Sequence, residues 1–166
     1  MGSPNYSVNI QNSAPPQPTW LLVLIVSTSI FATTIITPSL PGITAVFAVT
    51  AQETQMVITG FLAAIAVGQL VFGPISDRFG RRLPLLVGLG LFLVGSILAF
   101  LASNLDVLVF ARLIQGIGAA AAVVLSRVII NDTHTPRDAA VRMAAVMSAT
   151  ALAPMLAFSL GGVLYD

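Results

Sequence analysis

Five long apolar runs alternate along the chain with short segments that carry most of its charged and proline residues. A helix that crosses the hydrocarbon core of a bilayer needs about 20 largely apolar residues. The pattern therefore predicts five spanning helices, at roughly residues 20–40, 53–72, 83–102, 107–130 and 141–162. The predicted fold is an all-α polytopic membrane helix bundle.

Prolines mark the end of the first predicted helix. Pro38 and Pro41 each lack a backbone donor, and a residue that precedes proline is biased away from the helical conformation. Ahead of that helix, residues 1–18 are polar, uncharged and proline-bearing, which predicts a flexible tail. This tail has no basic residue and the apolar run behind it is too long for a cleaved signal peptide, so the first span is predicted to be retained.

Composition supports a membrane setting and excludes several functions. The chain is 57% hydrophobic and 8% charged, whereas a soluble domain carries about a quarter charged residues. A net charge of +1 provides no basic face for nucleic acid. The sequence has no cysteine, no zinc-ligand spacing and no nucleophile–base pair in its apolar runs. It therefore predicts neither an enzyme nor a bound cofactor or metal.

The arginines between the helices predict the orientation. Six of the seven flank two loops that are two connections apart: Arg78, Arg81, Arg82, Arg127, Arg137 and Arg142. The loops near residues 42–52 and 103–106 hold none. Because basic residues concentrate in cytoplasmic loops, residues 1–18 are predicted to be a cytoplasmic tail and residues 19–166 a five-helix transmembrane region. An odd number of spans puts the C-terminus on the far side and predicts an incomplete bundle.

Arg112 is the one charged residue predicted to lie well inside a span. An arginine there costs about 2.5–3.5 kcal/mol on insertion scales, so we expect it to face protein or a water-filled cavity. Gln115 and Gly116 follow at i+3 and i+4 and share its helical face. The alternative is that Arg112 snorkels to the near interface, because it lies only about a turn and a half inside the helix. Gln69, in the second span, is also expected to face a cavity.

Two arginine motifs resemble those of a transporter family. Residues 73–82, GPISDRFGRR, resemble the loop between the second and third helices of the major facilitator superfamily. Residues 112–120, RLIQGIGAA, resemble the fourth-helix motif of its drug/proton antiporters. Helix-breaking motifs of the first and fifth helices are similar as well, at Pro38, Pro41, Pro154, Gly161 and Gly162. The subgroup that the chain resembles is the bicyclomycin- and chloramphenicol-resistance type of efflux transporter.

The resemblance implies a conformational latch at the cytoplasmic side. Its residues would be Gly73, Asp77, Arg78, Gly80, Arg81, Arg82 and Asp132. Gly73 would allow close helix approach, and the charged residues would stabilise the outward-facing state. Asp132 is the candidate ion-pair partner of Arg81.

The resemblance also implies a substrate and proton pathway, at Arg112, Gln115, Gly116, Gln69 and Thr34. Arg112 would line the central cavity and take part in proton coupling. Thr34 stands where such antiporters often place an acidic residue, and Phe158 stands where their fifth-helix motif is expected to have proline.

The implied function is proton-coupled efflux of small lipophilic compounds or drugs across a bacterial inner membrane. The implied partners are the lipid bilayer, the small-molecule substrate and protons, with no nucleic acid. Family members have about twelve helices in two halves, and substrate binds between the halves. The resemblance therefore covers an N-terminal five-helix portion and implies a missing C-terminal half or a partner subunit.

Two other readings of the sequence stay open. The chain could be a half-size transporter that assembles with a copy or a partner to rebuild the cavity. It could also be a membrane scaffold or regulatory subunit that keeps the helix bundle without transporting anything. Arg112 separates these readings, because a transporter needs this residue for activity and a scaffold does not need it to bind its partner.

Overall fold

The computed structural model describes the backbone of residues 18–165 and the side chains of residues 18–155. Every regular element in this range is an α-helix, which confirms the predicted all-α bundle. The helices are α1 (Thr19–Thr34), α2 (Leu40–Phe47), α3 (Ala51–Phe79), α4 (Arg82–Phe100), α5 (Leu105–Thr133) and α6 (Pro136–Tyr165). The tail predicted at residues 1–18 lies outside the described range except for Pro18.

Helix α5 lies at the centre of the bundle. Ala119, Ala120 and Ala121 are consecutive residues of α5, and none has any exposed surface. Successive residues of a helix point about 100° apart, so neighbouring helices must cover α5 around most of its circumference. α3 and α4 both pack along it and barely contact each other, while α1 packs against α5 and α6.

Glycines allow α3 and α4 to approach α5 closely. A Cβ added at Gly68 of α3 would lie 2.6 Å from the Cβ of Ala120, and one at Gly95 of α4 would lie 2.5 Å from a backbone nitrogen of α5. On α5 itself, a Cβ at Gly116 would lie 2.6 Å from the backbone oxygen of Phe61. Within lipid, such close van der Waals packing of small residues is a main source of helix association.

The first predicted helix ends earlier than expected, and a second helix follows where the sequence predicted a loop. α1 ends at Thr34, and α2 begins at Leu40 after a run of turns. Pro38 has no amide hydrogen to donate to the carbonyl of Thr34, which accepts instead from Thr37 N at 3.1 Å. Pro41 lies in the first turn of α2, where the helix needs no amide donor. Proline therefore ends α1 and also starts a new helix, which the sequence did not predict.

The predicted loop at residues 73–82 is mostly helix. α3 continues to Phe79 with Pro74 inside it, and only Gly80 and Arg81 separate it from α4. The φ angle of Gly80 is 79°, in the left-handed region that glycine adopts without strain. The reversal between the two helices is therefore concentrated at one glycine.

The helix-breaking interpretation of Pro154, Gly161 and Gly162 is wrong. All three lie inside α6, which runs from Pro136 to Tyr165 without interruption. An interior proline removes one backbone hydrogen bond, whereas unwinding the helix would expose several polar groups to lipid. Continuing the helix has the lower free energy in a membrane.

Three helices of the described chain, α3, α4 and α5, are long and apolar enough to cross a membrane. α1 is apolar but has only 16 residues. Large apolar side chains cover the outward surface, including Leu70 at 78% exposed and Phe100 at 88% exposed. Such a surface suits a lipid solvent. These features agree with an integral membrane protein, and the count of five spans stays a prediction.

Replacing Gly116 with alanine should destabilise the bundle. The new Cβ would clash with the carbonyl oxygen of Phe61 and would lie 2.8 Å from the Cβ of Ala64. We expect a loss of about 1–3 kcal/mol in the free energy of unfolding, the usual cost of overpacking. The measurement is thermal unfolding of the detergent-solubilised chain, followed by circular dichroism.

The matched control is Gly90→Ala on α4. A Cβ at Gly90 would meet no atom within 4 Å, so this variant should be neutral or slightly stabilising. Equal melting temperatures for the two variants would contradict the packing of α5 described above.

Candidate functional site

Arg112 is held inside the bundle by one backbone acceptor and one side-chain acceptor. It lies on α5 and is 9% exposed. Its Nη1 donates to the carbonyl oxygen of Ala32 on α1 at 3.0 Å and to Oε1 of Gln115 at 2.9 Å. The guanidinium carbon also lies 5.8 Å from the centre of the Phe61 ring on α3, within cation–π range. The side chain therefore contacts the interior of the bundle and does not reach outward to an interface.

The hydrogen bonds of Arg112 continue into α4. Nε2 of Gln115 donates to Oγ of Ser96 at 2.8 Å, and this hydroxyl donates to the carbonyl oxygen of Phe92 at 2.7 Å. Gln115 is itself 5% exposed. A buried amide needs partners for both its oxygen and its nitrogen, and here the oxygen accepts from Arg112 while the nitrogen donates to Ser96. One polar network thus joins α1, α5 and α4 inside an otherwise apolar bundle.

This network forms one wall of a cavity of about 590 Å³. The cavity lies between α2, α4 and α5, and its polar side chains are Ser39, Ser96, Arg112 and Gln115. Its apolar lining includes Ile36, Ile43, Phe47, Ala99 and Leu108. Sites for small organic molecules have this make-up, with apolar walls and a few fixed polar groups.

Only two of the five predicted pathway residues line this cavity. Arg112 and Gln115 do so together, as predicted from their helical spacing. Gly116 packs against α3 instead. Oγ1 of Thr34 donates to the carbonyl oxygen of Ile30 in its own helix at 3.1 Å. Gln69 is exposed on the surface of α3, away from the cavity.

A second cluster of charges lies at the α3–α4 turn. Nη1 of Arg81 is 2.6 Å from Oδ1 of Asp77, and Nε of Arg81 is 2.9 Å from Oδ2 of Asp132 near the end of α5. Nη1 of Arg81 also donates to Oγ of Ser76 at 2.6 Å, and Ser76 donates to the carbonyl oxygen of Gly73 at 2.8 Å. The contact between Arg81 and Asp132 expected from the sequence is therefore present.

Arg81 keeps its positive charge in this cluster. Partial burial lowers the pKa of its guanidinium, but the hydrogen bonds to Asp77 and Asp132 outweigh that effect and raise the pKa above the ordinary arginine value. The contacts to Asp77 and Asp132 therefore involve a guanidinium that stays protonated.

Other residues of the predicted latch do not join this cluster. Arg78 and Arg82 are exposed, and the guanidinium of Arg78 lies 5.5 Å from the centre of the Phe79 ring. No other helix of the described chain lies close to Gly73, because a Cβ there would meet no atom within 4 Å, so its role in close helix approach stays a prediction. Gly80 acts through its backbone conformation, as the residue that reverses the chain.

Comparison with known proteins decides the family. The model of the family described as Major Facilitator Superfamily matches residues 22–166. The chain belongs to the Major Facilitator Superfamily. This finding agrees with the motifs at the α3–α4 turn and on α5.

Several relatives in this superfamily cover most of the chain. An uncharacterized MFS-type transporter, YdgK of Bacillus subtilis, is 40% identical over 127 residues, which is 76% of this chain and 32% of the relative. Multidrug resistance protein D of Escherichia coli is 32% identical over 144 residues, covering 87% and 36%. A chloramphenicol resistance protein of Pseudomonas aeruginosa is 37% identical over 102 residues, covering 61% and 24%. The aligned part of the chain thus spans about a third or less of the length of each.

The sequence did not indicate three residues that complete the clusters around Arg112 and Arg81. Ser96 was not singled out, although the spacing of Gly88 and Gly95 identifies the face of α4 that packs on α5, and Ser96 adjoins it. Ser76 was missed because its contact with Arg81 requires α3 to continue as a helix. The contact of Phe61 with Arg112 joins two helices, and no spacing within one helix indicates it.

The ion pair between Arg81 and Asp132 should make a small contribution to stability. Their side chains are 30% and 48% exposed, and exposed pairs contribute about 0.2–1 kcal/mol. A double-mutant cycle with Arg81→Gln and Asp132→Asn should give a coupling energy in that range at low salt. The coupling should shrink in high salt, because exposed charges are screened.

The control cycle pairs Arg81→Gln with Asp138→Asn. Asp138 is bound to Thr135 at the start of α6, so its effect should add to that of Arg81 without coupling. Absence of coupling between Arg81 and Asp132 at low salt would contradict the ion pair.

Proposed function

We propose that this chain forms the N-terminal part of an exporter of small lipophilic compounds in a bacterial cytoplasmic membrane. The observation that carries the proposal is the buried network of Arg112, Gln115 and Ser96 at the wall of an apolar cavity. Membership of the superfamily supports transport as the activity. An enzymatic role is not part of the proposal.

The relatives support export as the direction. Two carry the names multidrug resistance protein D and chloramphenicol resistance protein, and a relative from Pseudozyma antarctica is named MFS-type efflux pump MMF1. The activity proposed for this chain is the movement of small compounds out of the cell. A cavity with mostly apolar walls suits lipophilic compounds.

We propose that a second set of helices completes the site. Transporters of this kind bind substrate near the membrane midplane between two structural halves. In the described residues, the walls of the cavity at Arg112 come from α2, α4, α5 and the segments that adjoin them, and the aligned relatives are about three times as long as the matched region. The rest of a longer protein, or a partner subunit, would supply the opposite wall.

We further propose that proton entry drives export and that Arg112 takes part in the coupling. A threonine hydroxyl does not ionise near neutral pH, so Thr34 cannot replace the carboxylate often found at its position. The proton-binding group would then lie outside α1. The Arg81 cluster would act as the cytoplasmic latch, because it ties the α3–α4 turn to the end of α5.

Export should depend on Arg112. In cells that carry the native transporter gene, Arg112→Ala should lower efflux of lipophilic dyes and antibiotics about tenfold or more. A hydrogen bond to a charged group contributes about 1.5–3 kcal/mol, which corresponds to a factor of that size. Arg112→Lys should keep part of the activity, since it keeps the charge. The assay is dye efflux after energisation, compared at equal protein level in the membrane.

The control for this experiment is Arg127→Ala, also on α5 but exposed. It should leave efflux near the wild-type level. Normal efflux by the Arg112→Ala variant would remove the observation on which the proposal depends.

The proposed orientation places the N-terminus in the cytoplasm. Arg81 and Asp132 lie at one end of the bundle, and the α4–α5 turn at residues 101–104 lies at the other. The chain has no native cysteine. In intact cells, an impermeant maleimide should label Ser103→Cys and should label His134→Cys only after permeabilisation. Labelling of both from the same side would contradict this orientation.

A further inference from the structure

The positive charge of Arg112 has no carboxylate partner among residues 18–155. Within this range, ion pairs closer than 4.0 Å involve Arg81 alone. Glu53 and Asp106 lie at the same end of the bundle as Arg112. The Glu53 carboxylate accepts from the amide and hydroxyl of Thr50, both at 2.8 Å. Asp106 is exposed in the first turn of α5, about 240° around the helix from Arg112.

A buried guanidinium without an anion is costly. Arginine keeps its proton in proteins, so Arg112 cannot remove the cost by becoming neutral. Its recorded acceptors, the carbonyl of Ala32 and the amide oxygen of Gln115, are neutral dipoles. An anion beside Arg112 would therefore be strongly favoured over a neutral molecule of the same shape.

The hydrogen bonds of Arg112 leave one edge of the guanidinium without an acceptor. Both recorded bonds come from Nη1. Nε is buried and has no hydrogen-bond partner in the described chain. The edge made by Nε and Nη2 is one that carboxylates bind with two parallel hydrogen bonds. Arg112 thus keeps an unused donor at the cavity wall, which a carboxylate would reach after a small rotation of the guanidinium, because Nε itself has almost no accessible surface.

The rest of the cavity suits an apolar body. Beyond the network around Arg112 its walls are mainly aliphatic and aromatic, and the volume of about 590 Å³ matches a drug-sized molecule. We propose that the preferred substrates are lipophilic anions, each with one carboxylate that binds Arg112 and an aromatic or branched aliphatic body that occupies the apolar part. This proposal rests on the proposed function, since it takes the cavity to be the substrate site.

The direct test compares two molecules that differ in charge but not in shape. The probes are 1-naphthoate, which is an anion at pH 7, and 1-naphthamide, which is neutral. Binding of each to the native transporter, purified and reconstituted in lipid nanodiscs, is measured by equilibrium dialysis, with protein-free nanodiscs as the baseline. Naphthoate should bind at least about tenfold more tightly, because its hydrogen bonds to Arg112 are charge-assisted. Equal affinities, a preference for naphthamide, or no binding of either probe would overturn the proposal.

Three variants locate the effect. Arg112→Gln should abolish the preference for naphthoate, and a preference that survives this change would overturn the assignment. Arg127→Gln removes an exposed arginine of the same helix and should leave the preference intact. Ala99→Phe should weaken binding of both probes, because Ala99 lines the cavity and the added ring would occupy part of it. Unchanged binding to Ala99→Phe would mean that the probes bind outside the cavity, and would overturn the proposal. This variant is therefore the decisive test if Arg112→Gln fails to fold.

The outcome is independent of the export assay. A preference for naphthoate that depends on Arg112, in a chain whose Arg112→Ala variant exports normally, would refute the proposed function and leave an anion site. Loss of export in Arg112→Ala combined with equal binding of the two probes would refute the anion proposal alone.

Discussion

The close approach of α3 and α4 to α5 is the contact on which the rest of the structure depends. Where a Cβ at Gly95 or Gly118 would clash with the neighbouring helix, the backbones come near enough for short side chains to reach across. The hydrogen bond from Gln115 to Ser96 spans α5 and α4 within 2.8 Å for this reason. Larger residues at these positions would separate the helices and leave the buried polar groups without partners, at a cost that lipid does not relieve.

Two arginines of the described chain, Arg112 and Arg81, hold polar clusters of different physical character. At Arg112, a charge is enclosed by protein and bound to neutral dipoles. At Arg81, a charge is partly exposed and bound to two carboxylates. The first arrangement carries a net positive charge into a region of low dielectric constant, and the second balances its charges near water. In the function proposed above, these two clusters would serve solute recognition and conformational control at separate sites.

The sequence predicted the class of fold and the central residue of the site, and it failed where contacts between helices decide the outcome. Apolar run length identified the helical bundle, and the cost of an arginine in lipid identified Arg112. Residue spacing could not predict that helix α3 would continue past Pro74, because a proline in lipid is tolerated or not according to what surrounds it. Phe61 was inaccessible to the same reasoning, since it joins the site from another helix, whereas Ser96 adjoins the glycine face of α4 that spacing reveals.

The break between α1 and α2 has a mechanical consequence. α1 is tied to α5 and α6, through Arg112 and through the hydrogen bond from Arg142 to Thr19, whereas α2 is tied to α3 by the hydroxyl pair of Thr44 and Thr54 at 3.0 Å. The five residues between them therefore join two separately anchored bodies. Ile36 and Ser39 lie in this joint and also line the cavity. A small change in the angle between α1 and α2 would thus alter the width of the cavity beside Arg112.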